Sequence, residues 1–339
     1  MLNHRKAYAN KAVAYGVKRR AFNLSAVMAL FLSACFLSAC AGPDSSTETP
    51  PARDDGWRLQ INGDLNSFFD CLEEKDATLI SAHRGGPRPG YPENAIETFA
   101  EALGDGPFLI ELDVATSANG VLYLMHDDTL DRTTTGSGRA DRLYWREIAT
   151  LNLLDNDGRR TEFSPPRFAD ALAFLRERTI TQIDFKRSTR FEDVIDEIVR
   201  QGAEDRVILI AYSMAQAAKL HRLAPRMMIS LSIENEDDFF QAVNGGIPDT
   251  RLLGFTGTRE ANARLNQRLE TEGVEVIFGT LGGRRSIDQK IASTGDEKTY
   301  ASLSQSGVDI LATDRPRAAL QALRNAERAG LGVCGLSRQ

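Results

Sequence analysis

Cysteine is scarce in this 339-residue chain, which has four: Cys35 and Cys40 within the first forty residues, and Cys71 and Cys334 far apart beyond them. Histidine is as rare, with only His4, His83, His126 and His221. No histidine pair stands at metal spacing and no cysteine lies near the candidate ligands, a pattern that does not describe a zinc site. The apolar stretch from Leu24 to Leu37 is too short for a confident membrane span. No repeat with a period of 20 to 50 residues is evident, which excludes a solenoid. Excess positive charge is missing too. Lys and Arg number 41 against 47 Asp and Glu, a formal charge of −6 that becomes −12 once six basic residues near the N-terminus are set aside. A surface that acidic argues against nucleic acid as a partner.

What is present begins with those six residues. Arg5, Lys6, Lys11, Lys18, Arg19 and Arg20 precede the apolar stretch, in the order of a secretory signal. The tandem FLSACFLSAC resembles a bacterial lipoprotein cleavage box twice over. Cys40 is the expected lipidated residue rather than Cys35, because the polar, proline-containing AGPDSSTETPPARDDG after it reads as a tether. The expectation is a signal over 1–40, a tether and N-terminal segment over 41–77, and an exported protein held to a membrane by its lipid anchor. It would sit in the cell envelope on the periplasmic side, at the outer membrane if the host has two membranes. An ordinary cleaved signal or a plain membrane anchor is the alternative. In such an oxidising compartment Cys71 and Cys334 either form a disulfide or remain two thiols, and spacing does not decide between them.

Hydrophobic residues make up 42% and charged residues 26%, the composition of a soluble globular protein. From Thr78 onward, β-rich apolar runs alternate with helix-like segments. The runs are TLISAH, PFLIELDV, VLYLMH, ITQIDFK, RVILIAY, MMISLSI, RLLGFTG, VEVIFGT and VDILAT. The alternation predicts βα units around a mostly parallel sheet, with nine candidates for what could be an eight-stranded barrel. Among the helices, SMAQAAKLHRLA begins at a Ser cap and TRFEDVIDEIVRQG ends at a Gly stop. The turn-rich segment after His126 is too long for a plain connection and is expected to be either a functional loop or a small insertion after the third strand candidate, at about 129–166.

In FLIELDV, Glu111 and Asp113 are two residues apart and share one face of a strand. Two acids amid Phe108, Leu109, Ile110 and Leu112 repel each other unless a cation lies between them, although one solvated edge face would give the same pattern. Asn119-Gly120 signals a hairpin. Pairing Ala118 with Val121 across it places Asp113 opposite His126. The link is too short for a parallel crossover, so this pair is either antiparallel or a loop. Asp184 and Lys186 repeat the two-residue spacing at the end of another run; the bland reading is a surface ion pair. Three carboxylates without cysteine describe one hard divalent ion, Mg²⁺ or Ca²⁺. His83 and His126 suit an acid and base pair, while His221 is expected to be exposed on a charged helix. Arg84 offers a planar fork to phosphate, with Gly85 and Gly86 leaving backbone N–H groups accessible.

His83-Arg84-Gly85, Pro92-Glu93-Asn94, Glu111-Leu-Asp113, His126-Asp127, Asp184-Phe-Lys186 and GVDILATDRP together resemble the glycerophosphodiester phosphodiesterase family, in order and spacing. The resemblance implies a TIM (β/α)8 barrel over 78–325, followed by a tail over 326–339. It implies a metal held by Glu111, Asp113 and Asp184, and His83 and His126 as general acid and base. Arg84 and Lys186 would take the phosphate of a small phosphodiester, supported by Glu93 and Asn94. The enzyme so implied hydrolyses glycerophosphodiesters to an alcohol and glycerol 3-phosphate. Two departures bear on substrate. Asp184 stands where many members have Glu, and Phe278-Gly279-Thr280 replaces the usual Trp-Thr, which removes an apolar wall from the mouth. A lysophospholipase D or sphingomyelinase D-like enzyme on the same scaffold is therefore an alternative, and a non-catalytic envelope lipoprotein that binds phosphorylated ligands is another. The sequence does not fix the oligomeric state.

Overall fold

The structure, a computed structural model, describes residues 56–61 and 63–338. The chain divides into two units, Met1–Glu48 and Thr49–Gln339, and the described residues belong to the second. The expected signal, Cys40 and the start of the tether lie outside them. Among the described residues no helix is long and apolar enough to cross a membrane.

The strands are β1 (Trp57–Leu59), β2 (Leu79–Ala82), β3 (Leu109–Thr116), β4 (Leu122–Leu124), β5 (Thr181–Phe185), β6 (Val207–Ala211), β7 (Met228–Ser232), β8 (Leu252–Phe255), β9 (Glu275–Gly279), β10 (Ile310–Thr313) and β11 (Leu336–Arg338). β2, β3 and β5 to β10 form a parallel ring that closes where β2 pairs with both β10 and β3. This is the expected TIM barrel. The ninth run of the sequence, VLYLMH, is β4, which pairs antiparallel with β3 outside the ring.

Barrel strands are buried on both faces, which is why they read as continuous apolar runs. Alternate residues enter different layers. Ile80, Ile110, Leu209, Ile229, Phe278 and Leu311 pack against the surrounding helices. Leu79, Leu109, Ile208, Met228, Ile277 and Ile310 fill the barrel instead. A helix, α1 (Leu65–Glu73), adds Leu65, Phe68, Phe69 and Leu72 to this inner cluster; the Asp64 carboxylate caps it, accepting from Ser67 N at 3.0 Å. Two residues further along the inward rows of β2, β3, β5 and β7 the chemistry turns polar, at Ser81, Glu111, Gln182 and Ser230, and then at His83, Asp113, Asp184 and Ser232. Period two along the strands thus carries the polar side chains to the C-terminal mouth.

The β3–β4 register corrects the expected pairing. Val114 faces Leu124 and Thr116 faces Leu122, and Met125 N donates to Asp113 O at 3.1 Å, so Met125, not His126, lies opposite Asp113. The cause is local. Ser117 N donates to Val121 O at 3.0 Å and Ser117 Oγ accepts from Val121 N at 3.0 Å, which leaves a three-residue connection. The segment that follows packs Leu130, Ala140 and Ile148 around Tyr123 and Met125, a small core of its own.

At the far end of the barrel β1 pairs antiparallel with β11. Cys71 of α1 is bonded to Cys334, with a Cα separation of 5.9 Å across 263 residues of sequence. His221 departs from expectation. It is half-buried with its Nδ1 enclosed and unpartnered, because it lies four residues after the buried Ala217 and shares that helix face.

Candidate active site

β3 and β5 are paired so that Asp113 lies beside Asp184 and Glu111 beside Gln182. Glu111, Asp113 and Asp184 each present an oxygen within 4.8 Å of the others, and all three are buried. Burial, and then the charge of Asp113, push the Glu111 carboxyl up to about 8. For Asp113 burial is outweighed by Lys186, Arg84 and His126, which hold it below the usual carboxylate range. Lys186 Nζ donates to Asp113 Oδ1 and Asp184 Oδ2, both at 2.8 Å. Crowded carboxylates, one of them lifted by repulsion and burial, fit a divalent cation with oxygen ligands, whose charge would remove that repulsion.

The loop after β2 takes an unusual path. Arg84, Gly85 and Gly86 have φ of 51°, 84° and 71°, three successive left-handed residues. A Cβ on Gly85 would stand 2.3 Å from the Phe99 ring, and one on Gly86 2.7 Å from Pro316. This curl turns Arg84 N onto Glu111 Oε2 at 2.7 Å. Arg84 Nη1 donates to Glu93 Oε1 at 2.9 Å, and its buried Nε lies 3.5 Å from Asp113 without a hydrogen bond. Asn94 occupies another left-handed position, at φ 58°, which Asn tolerates better than most residues. Its amide donates to Asp113 Oδ2 at 2.7 Å and accepts from Asp113 N at 3.0 Å. The Pro-Glu-Asn segment therefore orients a carboxylate and a guanidinium together.

Each histidine is held through Nδ1. His83 Nδ1 lies 2.6 Å from Asp314 Oδ1, and His126 Nδ1 lies 2.6 Å from Asp127 Oδ1. Both pairs leave Nε2 as the nitrogen for proton transfer. Burial alone would lower the His83 imidazole, but the Asp314 hydrogen bond and the Glu111 charge outweigh it and raise it above its ordinary value. Asp314 is itself positioned, since its backbone N donates to Asp288 Oδ2 at 2.7 Å, and Asp288 also accepts from Tyr300 Oη at 2.6 Å and Thr313 Oγ1 at 2.8 Å. Arg132 of the insertion bridges Asp127 and Glu93, with four contacts between 2.6 and 2.8 Å.

His83, Arg84, Glu111, Asp113, His126 and Asp184 all line one cavity of about 370 Å³ at the barrel mouth. Lys186, Glu93 and Asn94 reach it through the side chains they hold, so every described residue expected at the site is at or beside it. The one-residue slip in register does not exclude His126. A second cleft, of about 880 Å³, meets the other side of His83 and Arg84 and runs between the insertion at Asp155–Gly158 and Gly282–Gly283. Phe278 is fully buried in the outer layer. The apolar wall of the mouth comes instead from Tyr212, Phe255 and Leu281. Asp314, Arg132 and Asp288 received no role from the sequence, nor did Asp127 beyond its place beside His126. For Asp314 a signal existed, because it continues the inward row of Ile310 and Ala312; for Arg132 there was none.

Residues 83–244 match the Glycerophosphoryl diester phosphodiesterase family. This chain belongs to that family. YqiK of Bacillus subtilis is 31% identical over 255 residues, which is 73% of this chain and 99% of that protein. Glycerophosphodiester phosphodiesterase 1 of Rattus norvegicus is 37% identical over 123 residues, 36% of this chain and 35% of the rat protein. The chain thus spans only about a third of that mammalian relative (35%). A glycerophosphoryl diester phosphodiesterase from Parabacteroides distasonis shares the fold with a TM-score of 0.74 and 26% identity, over 80% of this chain and 95% of that one.

Proposed function

We propose that this protein is a metal-dependent phosphodiesterase that hydrolyses glycerophosphodiesters to an alcohol and glycerol 3-phosphate. The observation that carries this reading is the meeting of two carboxylate-held histidines, three buried acids and Arg84 in one cavity. Glu111, Asp113 and Asp184 would hold the ion, Mg²⁺ or Ca²⁺, which when bound supplies positive charge for the phosphate oxygens. Arg84 lines the cavity and offers its guanidinium N–H groups to the phosphate. Lys186 adds a second cation beside the acids. One histidine takes the proton of the attacking hydroxyl or water at Nε2, and the other gives a proton to the departing alkoxide. Asp314 and Asp127 keep both rings in the tautomer this requires. The lipid anchor at Cys40 belongs to the same proposal, as does placement in the cell envelope.

The apolar wall of Tyr212, Phe255 and Leu281 favours a second reading, in which the alcohol released is the base of a lysophospholipid and an acyl chain lies on that wall. An assay of the purified protein across glycerophosphocholine, glycerophosphoethanolamine, lysophosphatidylcholine and sphingomyelin separates these readings. Hydrolysis of the first two is expected, abolished by EDTA and restored by Mg²⁺ or Ca²⁺. Turnover of none of the four would remove the assignment, and turnover indifferent to EDTA would remove the metal.

A further inference from the structure

At the end of the barrel away from the mouth, a cavity of about 500 Å³ is lined by Arg58, Arg176, Arg178 and Arg206, with Glu177 as its carboxylate. Three chain segments bring these side chains together: β1, the turn ahead of β5, and the turn ahead of β6. Leu59 N donates to Arg178 O at 3.0 Å and fastens the first segment to the second. So dense a set of guanidinium groups is unusual on a chain of formal charge −6.

The donors are incompletely used. The Arg58 side chain has no hydrogen bond or ion pair among the described residues, its backbone being paired with β11. Arg206 has Nη1 buried without a partner, and its Nε lies 3.6 Å from Asp205. Arg176 Nη2 donates to the carbonyl of Gln201 at 3.0 Å, which orients it without cancelling its charge. Arg178 Nη1 donates to Phe174 O at 2.5 Å, and the guanidinium lies over the Phe174 ring, 4.6 Å from its centroid. Buried guanidinium N–H groups without acceptors are costly, and a tetrahedral anion with several oxygens satisfies more than one fork at once.

We propose that this cavity binds a phosphate-bearing anion, separately from the barrel mouth. Free phosphate and an anionic phospholipid headgroup share that chemistry. Hydrogen exchange on the full chain at low ionic strength, with and without inorganic phosphate, tests the site without any substitution. Protection is expected in peptides covering 57–61 and 176–178; protection confined to the barrel mouth, or none, would overturn the proposal. In a phosphate titration the Arg58→Gln/Arg206→Gln variant should weaken the site about tenfold or more, with glycerophosphocholine turnover unchanged. A titration identical to the parent's would count against the site. Sedimentation with phosphatidylglycerol vesicles, against phosphatidylcholine vesicles as control, assigns the source. Retention lost in the double variant identifies the headgroup, and phosphate binding without vesicle retention identifies the free anion.

Discussion

The two histidines have the same device around them and different surroundings. His83 is tied to Asp314, which Asp288 fixes from behind, whereas the partner of His126, Asp127, is shared with the insertion through Arg132. Replacing either ring should show whether both transfer protons. His83→Ala and His126→Ala are each expected to lower turnover by about 10²-fold to 10⁴-fold, measured with glycerophosphocholine under saturating metal. Near-parental rates from either variant would sink its role. Asp314→Asn offers a finer test. Asp314 holds the His83 pKa up against burial, which lowers it, so without that carboxylate the pKa should fall. The limb of the pH–rate profile that belongs to His83 should then move to lower pH, whichever histidine is the acid, with kcat/KM reduced by about 10²-fold or more. The sign follows from linkage. A raised imidazole pKa stabilises the fold below the unfolded value near 6.5, and that contribution fades as pH rises through the folded value. Asp314→Asn should remove the dependence along with the shift. A pH profile unmoved by the substitution would reduce Asp314 to a packing role.

At the scale of elements, the loop after β2 shows how local backbone conformation sets the chemistry. Gly85 combines φ 84° with a Phe99 ring 2.3 Å from where a Cβ would go. Gly85→Ala is expected to cost about 2–4 kcal/mol, from overpacking and the left-handed penalty together, read as a lower urea midpoint. Phe99→Leu in the same chain should recover part of that loss. The strands themselves were legible, because β-branched and apolar runs bounded by turn residues leave few other options. Their inward parity was legible as well, and it brought Glu111, Asp113 and Asp184 together. The β3–β4 register was not. Asn119-Gly120 suggests a two-residue turn, but the Ser117 side chain accepts a backbone bond and extends the connection by one residue. Nor could spacing reveal that Arg132 crosses from the insertion to Glu93, since that contact joins residues 39 apart across a loop without periodicity. Asp314 lies within GVDILATDRP, and the two-residue period of Ile310 and Ala312 carried one step past the end of β10 assigns it to the mouth.

For the whole molecule, the barrel confines chemistry to one end and closure to the other. Its C-terminal mouth carries the acids and histidines, while the opposite end is sealed by α1, by the β1–β11 pair and by the disulfide between Cys71 and Cys334. That bond joins the first helix to the last strand region over 263 residues, so nearly the entire barrel lies within the loop it closes. In the chain-entropy account a loop so long limits the unfolded ensemble strongly, and its loss should cost about 3–5 kcal/mol. For a domain of this size that corresponds to a Tm lower by roughly 10 °C. Cys71→Ser/Cys334→Ser, or the parent under reducing conditions, should show this loss by thermal melting, with glycerophosphodiester turnover at 25 °C close to parental. The two readouts separate because no described contact runs from either cysteine to the catalytic cavity, whose lining comes from the other end of the strands. A melt unchanged by reduction would mean that β1, β11 and the apolar face of α1 close the barrel unaided. Activity lost while the melt stays intact would contradict the division of the molecule into a closed end and a working end.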